Sequence, residues 1–432
     1  MSNKLVRGVR KTKSWFSRQY RREGVQRIVT DVKSNWYRSG LFKNFDWLLF
    51  ALIVGISIAG LVAIFAATVN TTEEEVHGLI NILAINTANA PRLQLMWIGL
   101  GLCVFFGMTL LDYHIFGKYS NFIYVSNVII LLGVLTVKAG RGGMTAFFTI
   151  QSANTGTRTF QPSEFGKVAM IVCLAYLFSH RKKHIRNLKE LIPSFIFVLF
   201  PMILVFAQPD FGTALVYAVM YIILLYVSGT DRKLIYGVLA IGVAVAIPLW
   251  YYLNTASDNF RLTRILMWLH PSQYPDDARQ VINGQIAIGS GGLLGKGLVS
   301  VGSFASLGYI PDDHTDFCFS IFCEAFGFVG AVLLVIAYAI LLGRLLYHAY
   351  HTEDKFGEYV LICTFSMFLF HILENICMIL GILPVTGIPL PFVSYGGSNY
   401  LTNMLAMGLA MNVIMRSREA KLSGQTRRTR QL

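Results

Sequence analysis

Charge is scarce in this chain. Asp, Glu, Lys and Arg make up 14% of its 432 residues, against 54% hydrophobic. A soluble chain of this length carries about 25% charged residues, so the deficit excludes an ordinary soluble enzyme and points to a polytopic membrane protein. Cysteine is sparse too. Cys103, Cys173, Cys318, Cys323, Cys363 and Cys377 all lie in or beside apolar runs and none forms a CxxC pair, so neither a disulfide framework nor a zinc site is indicated. The sequence has no P-loop, no dinucleotide fingerprint and no Ser/His/Asp spacing, and a soluble nucleotide is therefore not implied as a donor. A cleavable signal-peptide pattern is missing as well: the first apolar run starts near Asp46 and is long enough to span.

What the chain has instead is a series of apolar runs, each approaching the roughly 20 residues a span needs. They fall at 47–67, 94–112, 119–137, 163–179, 191–207, 212–228, 234–253, 317–345, 358–380 and 399–415. The expected fold is an all-α polytopic membrane protein of about ten transmembrane helices, with a large extracytoplasmic loop, 254–316, between helices 7 and 8. A basic arm (1–46) precedes this membrane domain (47–415) and a basic tail (416–432) follows it. The net charge of +14 is concentrated in the arm, in RKKHIRNLK at 181–189, in DRK at 231–233 and in the tail. All of these fall on one side when the spans alternate, which is what the positive-inside bias produces. Both ends are thus expected in the cytoplasm, and the arm also suits anionic lipid. The same distribution argues against nucleic acid as a partner. The opposite side receives 68–93 (with Glu73, Glu74 and Glu75), 138–161, the QPDFG turn, 254–316 and 381–398.

The stretch GYIPDDHTDFCFSIFCEAFGFVG, 308–330, passes from Asp312, Asp313, His314 and Asp316 straight into an apolar run, with Glu324 about two helical turns further in. Acids at such a boundary are costly and usually have a task. Asp316 follows the Pro311 break, and Thr315 is placed to cap the next helix. Asp316 reads equally as part of a cap or as an ionised acid able to take a proton. His314 reads as a loop residue rather than a metal ligand, since no second ligand stands at the right spacing. In QPSEFGK, 161–167, Glu164 and Lys167 are three apart and share a helix face. Pro162 suits a first helical turn. The pair is either functional or a structural salt bridge, and Arg158 just outside is placed to meet an anion. QPDFGT, 208–213, puts Asp210 in a re-entrant turn facing outward. TGIPLPFVSYGGSN, 386–399, carrying Ser394 and Tyr395, has too much Pro and Gly for a helix; it reads as a cavity wall or as packed loop. Glu374 and Asn375 are polar on an otherwise apolar run. GQIAIGSGGLLGKGL, 284–298, is either a surface loop or a segment whose backbone approaches a ligand. The outer cations Arg158, Arg261, Arg264, Arg279 and Lys296, with Lys138 and Arg141, suit a phosphate or diphosphate.

Taken together, HTDF with Glu324 and GFVG, QPSE…K, QPDFGTA, Arg264-Ile265, GQIAIGSGGLLGKGL and PVTGIPLPFVSYGGS resemble the shape, elongation, division and sporulation (SEDS) family, whose branches include RodA, FtsW and SpoVE. The resemblance runs from about Asp46 to Arg416, and the wording at 375–398 is closer to the RodA branch. It implies a ten-span peptidoglycan glycosyltransferase that polymerises lipid II outside the cytoplasmic membrane, for cell elongation, alongside a class B penicillin-binding protein. The family's essential Asp falls on Asp316, its QPSE…K pair on Glu164 and Lys167, and the acid after HTDF on Glu324. The chain departs from the family in lacking the usual Arg-Trp pair in 138–161, in having Glu324-Ala325 where two Glu are usual, and in its long arm.

On this resemblance Asp316 is expected to deprotonate the acceptor sugar with inversion, and Arg264, Lys167 and Lys296 to neutralise the leaving diphosphate, with or without a divalent cation (Mg or Mn). Glu164, Arg158, Asp210, Glu324, Ser394 and Tyr395 complete the expected substrate contacts, and no residue is assigned as a metal ligand. Three alternatives stand beside this: a lipid II flippase or transporter, a non-catalytic scaffold for a penicillin-binding protein, and a division or sporulation paralogue.

Overall fold

The computed structural model describes residues 41–68, 90–136, 148–152 and 156–429, apart from 182, 209, 256–259, 299–302, 305–306, 308 and 311–313. The expectations for residues 1–40, Glu73 to Glu75, Lys138, Arg141, Asp312 and Asp313 lie outside the described residues.

Thirteen α-helices are described: α1 Trp47–Thr68, α2 Ala90–Leu110, α3 Tyr113–Lys118, α4 Ser120–Thr136, α5 Pro162–Ser179, α6 Leu188–Ala207, α7 Phe211–Val227, α8 Arg232–Thr255, α9 Phe260–Leu269, α10 Pro275–Ser290, α11 Cys318–His351, α12 Lys355–Ile379 and α13 Gly397–Thr429. Each of the ten expected spans falls on one helix. By length and composition, α1, α2, α5, α6, α11 and α12 can each cross a membrane, and α4 and α7 are shorter apolar helices. The fold is that of a helical, multi-pass membrane protein.

Two of these spans form the interior. In α5 and α12, 72% and 67% of the apolar window is buried inside the protein, against at most 39% in the other four. With no hydrophobic drive between helices in lipid, close packing and polar contacts decide which helices go inside. α12 packs on α5, α7, α10, α11 and α13, so its polar residues meet several neighbours at once.

Two departures from the sequence reading matter for the site. First, the fold is not purely helical: β1 (Phe148–Ser152) and β2 (Gly156–Phe160) form an antiparallel hairpin, with Ile150 opposite Arg158. FTIQS and GTRTF alternate β-formers around a turn-prone S-A-N-T-G, a short-range hairpin signal. Second, the long loop 254–316 is not a loose surface segment. It holds α9, a 3-10 turn at Pro271–Gln273 and α10, and its glycine-rich end docks on a break in α11. At Gly327 the helix is interrupted, φ 67° and ψ −167°. Buried backbone groups freed by such a break need partners, and the loop supplies them: Lys296 N donates to Glu324 O at 2.9 Å, Gly297 N to Ala325 O at 3.1 Å, Phe328 N to Gly292 O at 2.9 Å and Val329 N to Leu293 O at 3.1 Å. The joint requires glycine on both sides. A Cβ on Gly295 would lie 2.1 Å from Ala325 O, and one on Gly327 would lie 2.3 Å from Gly295 N. The backbone approach expected for 284–298 is thus made to the protein's own helix.

Candidate functional site

Asp316 sits half-buried in the turn that leads into α11. The N-cap of α11 is Phe317, with no capping side chain, so Thr315 does not play the capping part expected of it. The turn is held from α12: Asn375 Nδ2 donates to Asp316 O at 2.9 Å and to Ile388 O at 2.8 Å. One side chain thereby fixes both the aspartate and the TGIPLP segment. Asp316 Oδ2 and Arg264 Nη1 both border Gly387, φ 76°, where a Cβ would stand 3.4 Å from the first and 3.7 Å from the second. Arg264 reaches this point from α9, and its Nη1 donates to Val385 O at 3.3 Å. Burial lowers the pKa of the guanidinium, while the nearby charges of Asp316 and Glu374 hold it up. Glu374 is 2% exposed. Its Oε1 accepts from the Thr386 hydroxyl, and its Oε2 has no hydrogen-bond partner among the described residues. Tyr395 joins the other side of the motif: its N–H donates to His314 O at 2.9 Å, and the two rings lie 5.5 Å apart.

About one helical turn along α12, a second buried cluster begins. Lys167 Nζ lies 2.8 Å from both oxygens of Glu164. Only Oε1 has hydrogen-bond geometry, so Oε2 receives charge without an aligned donor. The same ammonium is 2.9 Å from His371 Nε2, and His371 Nδ1 is 2.6 Å from Met367 O. An ammonium only donates, so Nε2 accepts, and Nδ1 carries the proton given to the carbonyl. Lys167 therefore bridges α5 to α12 through a neutral imidazole. The paired geometry expected of Glu164 and Lys167 is present, and His371 is the third member that the sequence reading missed.

Asp210 caps α7, accepting from Thr213 N at 3.1 Å. Its other oxygen accepts from Gln161 Nε2 at 3.0 Å and Ser163 Oγ at 2.7 Å. QPSE and QPDFG are thus tied to each other, and Pro162 takes the first turn of α5 as expected. Ser394 is fully buried, and its Oγ accepts from Leu390 N at 2.8 Å, closing the turn before α13.

Lys296 is engaged elsewhere. It forms an ion pair with Glu324 at 2.8 Å, and Glu324 Oε1 also accepts from Ser290 Oγ at 3.2 Å and Phe304 N at 3.0 Å. These two residues secure the loop on the α11 break. Arg158 is placed only by its strand; its side chain, like that of Arg261, lies outside the described residues, and Arg279 is exposed.

The structure thus gathers Asp316 and Arg264 around Gly387, with Tyr395 against His314 two residues before Asp316, and Glu164 with Lys167 at a neighbouring spot. Chemically the first is a carboxylate able to take a proton beside a cation able to meet an anion. Among the described residues no three metal-ligating side chains gather. Among the described residues the donors near Asp316 are two carboxylates and a guanidinium. His371 and Glu374 left one signal in the sequence: with Asn375 they stand at i, i+3 and i+4, on one face of an apolar helix.

Comparison with known proteins adds independent findings. The profile of the FtsW/RodA/SpoVE cell cycle protein family matches residues 46–419. The chain is 33% identical to the peptidoglycan glycosyltransferase MrdB of Escherichia coli K12, covering 73% of this chain and 83% of that protein. It is 32% identical to the stage V sporulation protein E of Bacillus subtilis, covering 75% and 87%. Among solved structures it resembles a chain of a peptidoglycan synthase complex that coordinates polymerization and crosslinking, with a TM-score of 0.69 at 25% identity over 86% of this chain and 98% of that one. It also resembles the rod shape determining protein RodA of Thermus thermophilus, with a TM-score of 0.61 at 25% identity over 89% and 99%.

Proposed function

This chain belongs to the FtsW/RodA/SpoVE cell cycle protein family, and we propose that Asp316 is the base with which it extends a glycan strand. The chain is a peptidoglycan glycosyltransferase of the cytoplasmic membrane, crossing it many times. Its substrate is lipid II. The acceptor hydroxyl gives its proton to Asp316, the freed electron pair forms the new glycosidic bond at the anomeric carbon of the growing chain, and the bond from that carbon to the phosphate oxygen breaks, its pair leaving on undecaprenyl diphosphate. The anomeric centre inverts.

A glycosidase needs a second carboxyl group to protonate a sugar leaving group. Diphosphate needs no such acid, so one base and one cation suffice, and Arg264 is the cation beside Asp316. The observation that carries this reading is that Asp316 Oδ2 and Arg264 Nη1 both border Gly387, a residue with no side chain to fill the space. Lys167, buried and bound between Glu164 and His371, acts by holding α5 against α12. Lys296 acts by holding the loop on α11.

The ends of the chain lie in the cytoplasm and the Asp316 site faces outward, a reading supported by the basic 181–189 and 231–233 connections. The protein serves elongation, and a class B penicillin-binding protein crosslinks the strand it makes. The test is purified protein in liposomes carrying lipid II, with and without that partner. Long glycan strands and released undecaprenyl diphosphate are expected; lipid II left intact in both arms would overturn the reading.

A further inference from the structure

Read from sequence, 254–316 lies outside the membrane, yet between Arg279 and Asp312 it carries a single charge, Lys296. The structure gives this stretch a direction. α10 runs beside the first turns of α11 and parallel to it: a Cβ on Gly284 would lie 2.9 Å from the Phe317 ring and 3.0 Å from Ser320 Oγ, and one on Gly291 would lie 2.3 Å from Cys323 O. α11 enters the membrane from this end, so α10 descends beside it.

The depth it reaches follows from α11. Near the far end of that helix, Arg344 and His348 pair with Asp46, the residue before α1. Trp47, which begins α1, is exposed there. From Arg344 up to Gly327 a helix rises about 25 Å, which stays within a hydrocarbon core about 30 Å thick. The glycine-rich turn bonded to the α11 break thus lies at acyl-chain depth, in the leaflet on the Asp316 side. Its chemistry agrees with that depth. Irregular backbone there must be paired within the protein, and the bonds of Lys296 N, Gly297 N, Phe328 N and Val329 N pair it. A charge there needs a partner, and Lys296 has Glu324. The side chains turned away from the protein are apolar. Leu293 is 72% and Leu294 80% exposed, and Ile282 and Ile286, four apart on one face of α10, are exposed too. Because Leu293 O accepts from Val329 N, the two leucines continue the exposed column of Phe328, Val332 and Leu333 on α11.

We propose that α10 and the glycine-rich turn form a re-entrant wedge whose apolar stripe is covered by the acyl chains of the leaflet on the Asp316 side. An amphipathic helix with its apolar face in lipid is held at the interface by that face. Here the helix packs on Phe317 and Ser320, so lipid contact bears on the turn that carries Asp316 and keeps it at the membrane surface. The inference does not depend on which residue is the base.

The test is spin-label depth in the full-length protein, in liposomes of phosphatidylglycerol and phosphatidylethanolamine with neither lipid II nor a partner protein. Labels are placed at Leu294→Cys and, as the aqueous reference, at Arg279→Cys on the exposed start of α10. Cys103 and Cys377 are replaced by alanine, which leaves only buried native cysteines. Collisions with oxygen, which concentrates among acyl chains, are compared with collisions with a water-soluble nickel chelate. The label at 294 is expected to lose most of its nickel collisions relative to the label at 279 and to gain oxygen collisions, with Ile286→Cys between the two. Should the 294 variant fail to fold, Leu293→Cys carries the same measurement. Equal nickel collisions at 294 and 279 would overturn the inference. So would shielding that appears only when lipid II or a partner protein is added, because the stripe would then belong to a prenyl chain or to another protein. Asp316→Asn should give the same depths, so failure of the wedge and failure of the base assignment are read separately.

Discussion

Where α1 begins and α13 leaves the bundle, three aspartates each cap a helix and are fully engaged; at the opposite end, three buried glutamates, Glu164, Glu324 and Glu374, each keep an oxygen without an aligned donor. Asp46 accepts from Leu49 N at 3.1 Å with one oxygen, and from Arg344 and His348 with the other. Burial works to raise its pKa, but the bonds from His348, Leu49 N and Arg344 outweigh it and hold the carboxyl well below the usual range. Asp112 and Asp354 bracket His114, at 2.8 and 3.6 Å, while capping α3 and α12. Glu164, Glu324 and Glu374, at the far end, cap nothing. Saturated acids at helix starts fix geometry. Acids left partly open inside the protein are free to answer a change of charge nearby, and that end is where the Asp316 chemistry is assigned.

Breaking the comparison at its deepest pair gives the largest stability effect. Lys167→Met leaves Glu164 buried and uncompensated, and should cost about 3–5 kcal/mol, read as thermal unfolding in detergent. Adding Glu164→Gln should restore most of that stability, yet polymerisation should stay low, because the bridge from α5 through His371 is gone. Full activity in the double variant would assign the pair to folding alone. At the saturated end the pattern reverses. Asp46→Ala removes a cap and frees Arg344 and His348, of which Arg344 is a quarter exposed, for a cost of about 2 kcal/mol. The polymerisation rate per folded molecule should not change, and a rate loss without unfolding would show that this end also serves the chemistry.

The smallest effect is a pH dependence. Hydrogen bonds to Asp112 and Asp354 raise His114 from its ordinary 6.5 to about 9. A raised value means that the imidazolium contributes fully below pH 6.5 and that its contribution is lost as pH climbs through about 9. His114 is more than half exposed, so solvent screening keeps the effect modest. The parent melting temperature should fall over that window, and His114→Gln should flatten the fall; identical slopes would show that His114 carries none of it.

How much of this was legible in the sequence follows the distance over which each feature is decided. The ten spans were readable because hydropathy is a local property, and so was the Glu164–Lys167 pair, three residues apart on one helix face. The hairpin at 148–160 was missed because each strand is only five residues long and lies in a segment read as loop. α9 and α10 were missed because neither is apolar enough to stand out as a span. The partners of Lys167 and Lys296 were not readable at all: His371 is 204 residues from Lys167, and Glu324 reaches Lys296 only because α11 breaks at Gly327. Lys296 was expected at the diphosphate for its charge, and charge alone says nothing about which acid the fold places beside it.

The central claim is that the half-open carboxylate end performs proton transfer. Single-turnover polymerisation of lipid II by Asp316→Asn, with its thermal transition measured in the same membranes, tests it most directly. The expected result is a rate lower by about 10² to 10⁴ with an unchanged transition; a parental rate in a folded Asp316→Asn would contradict it.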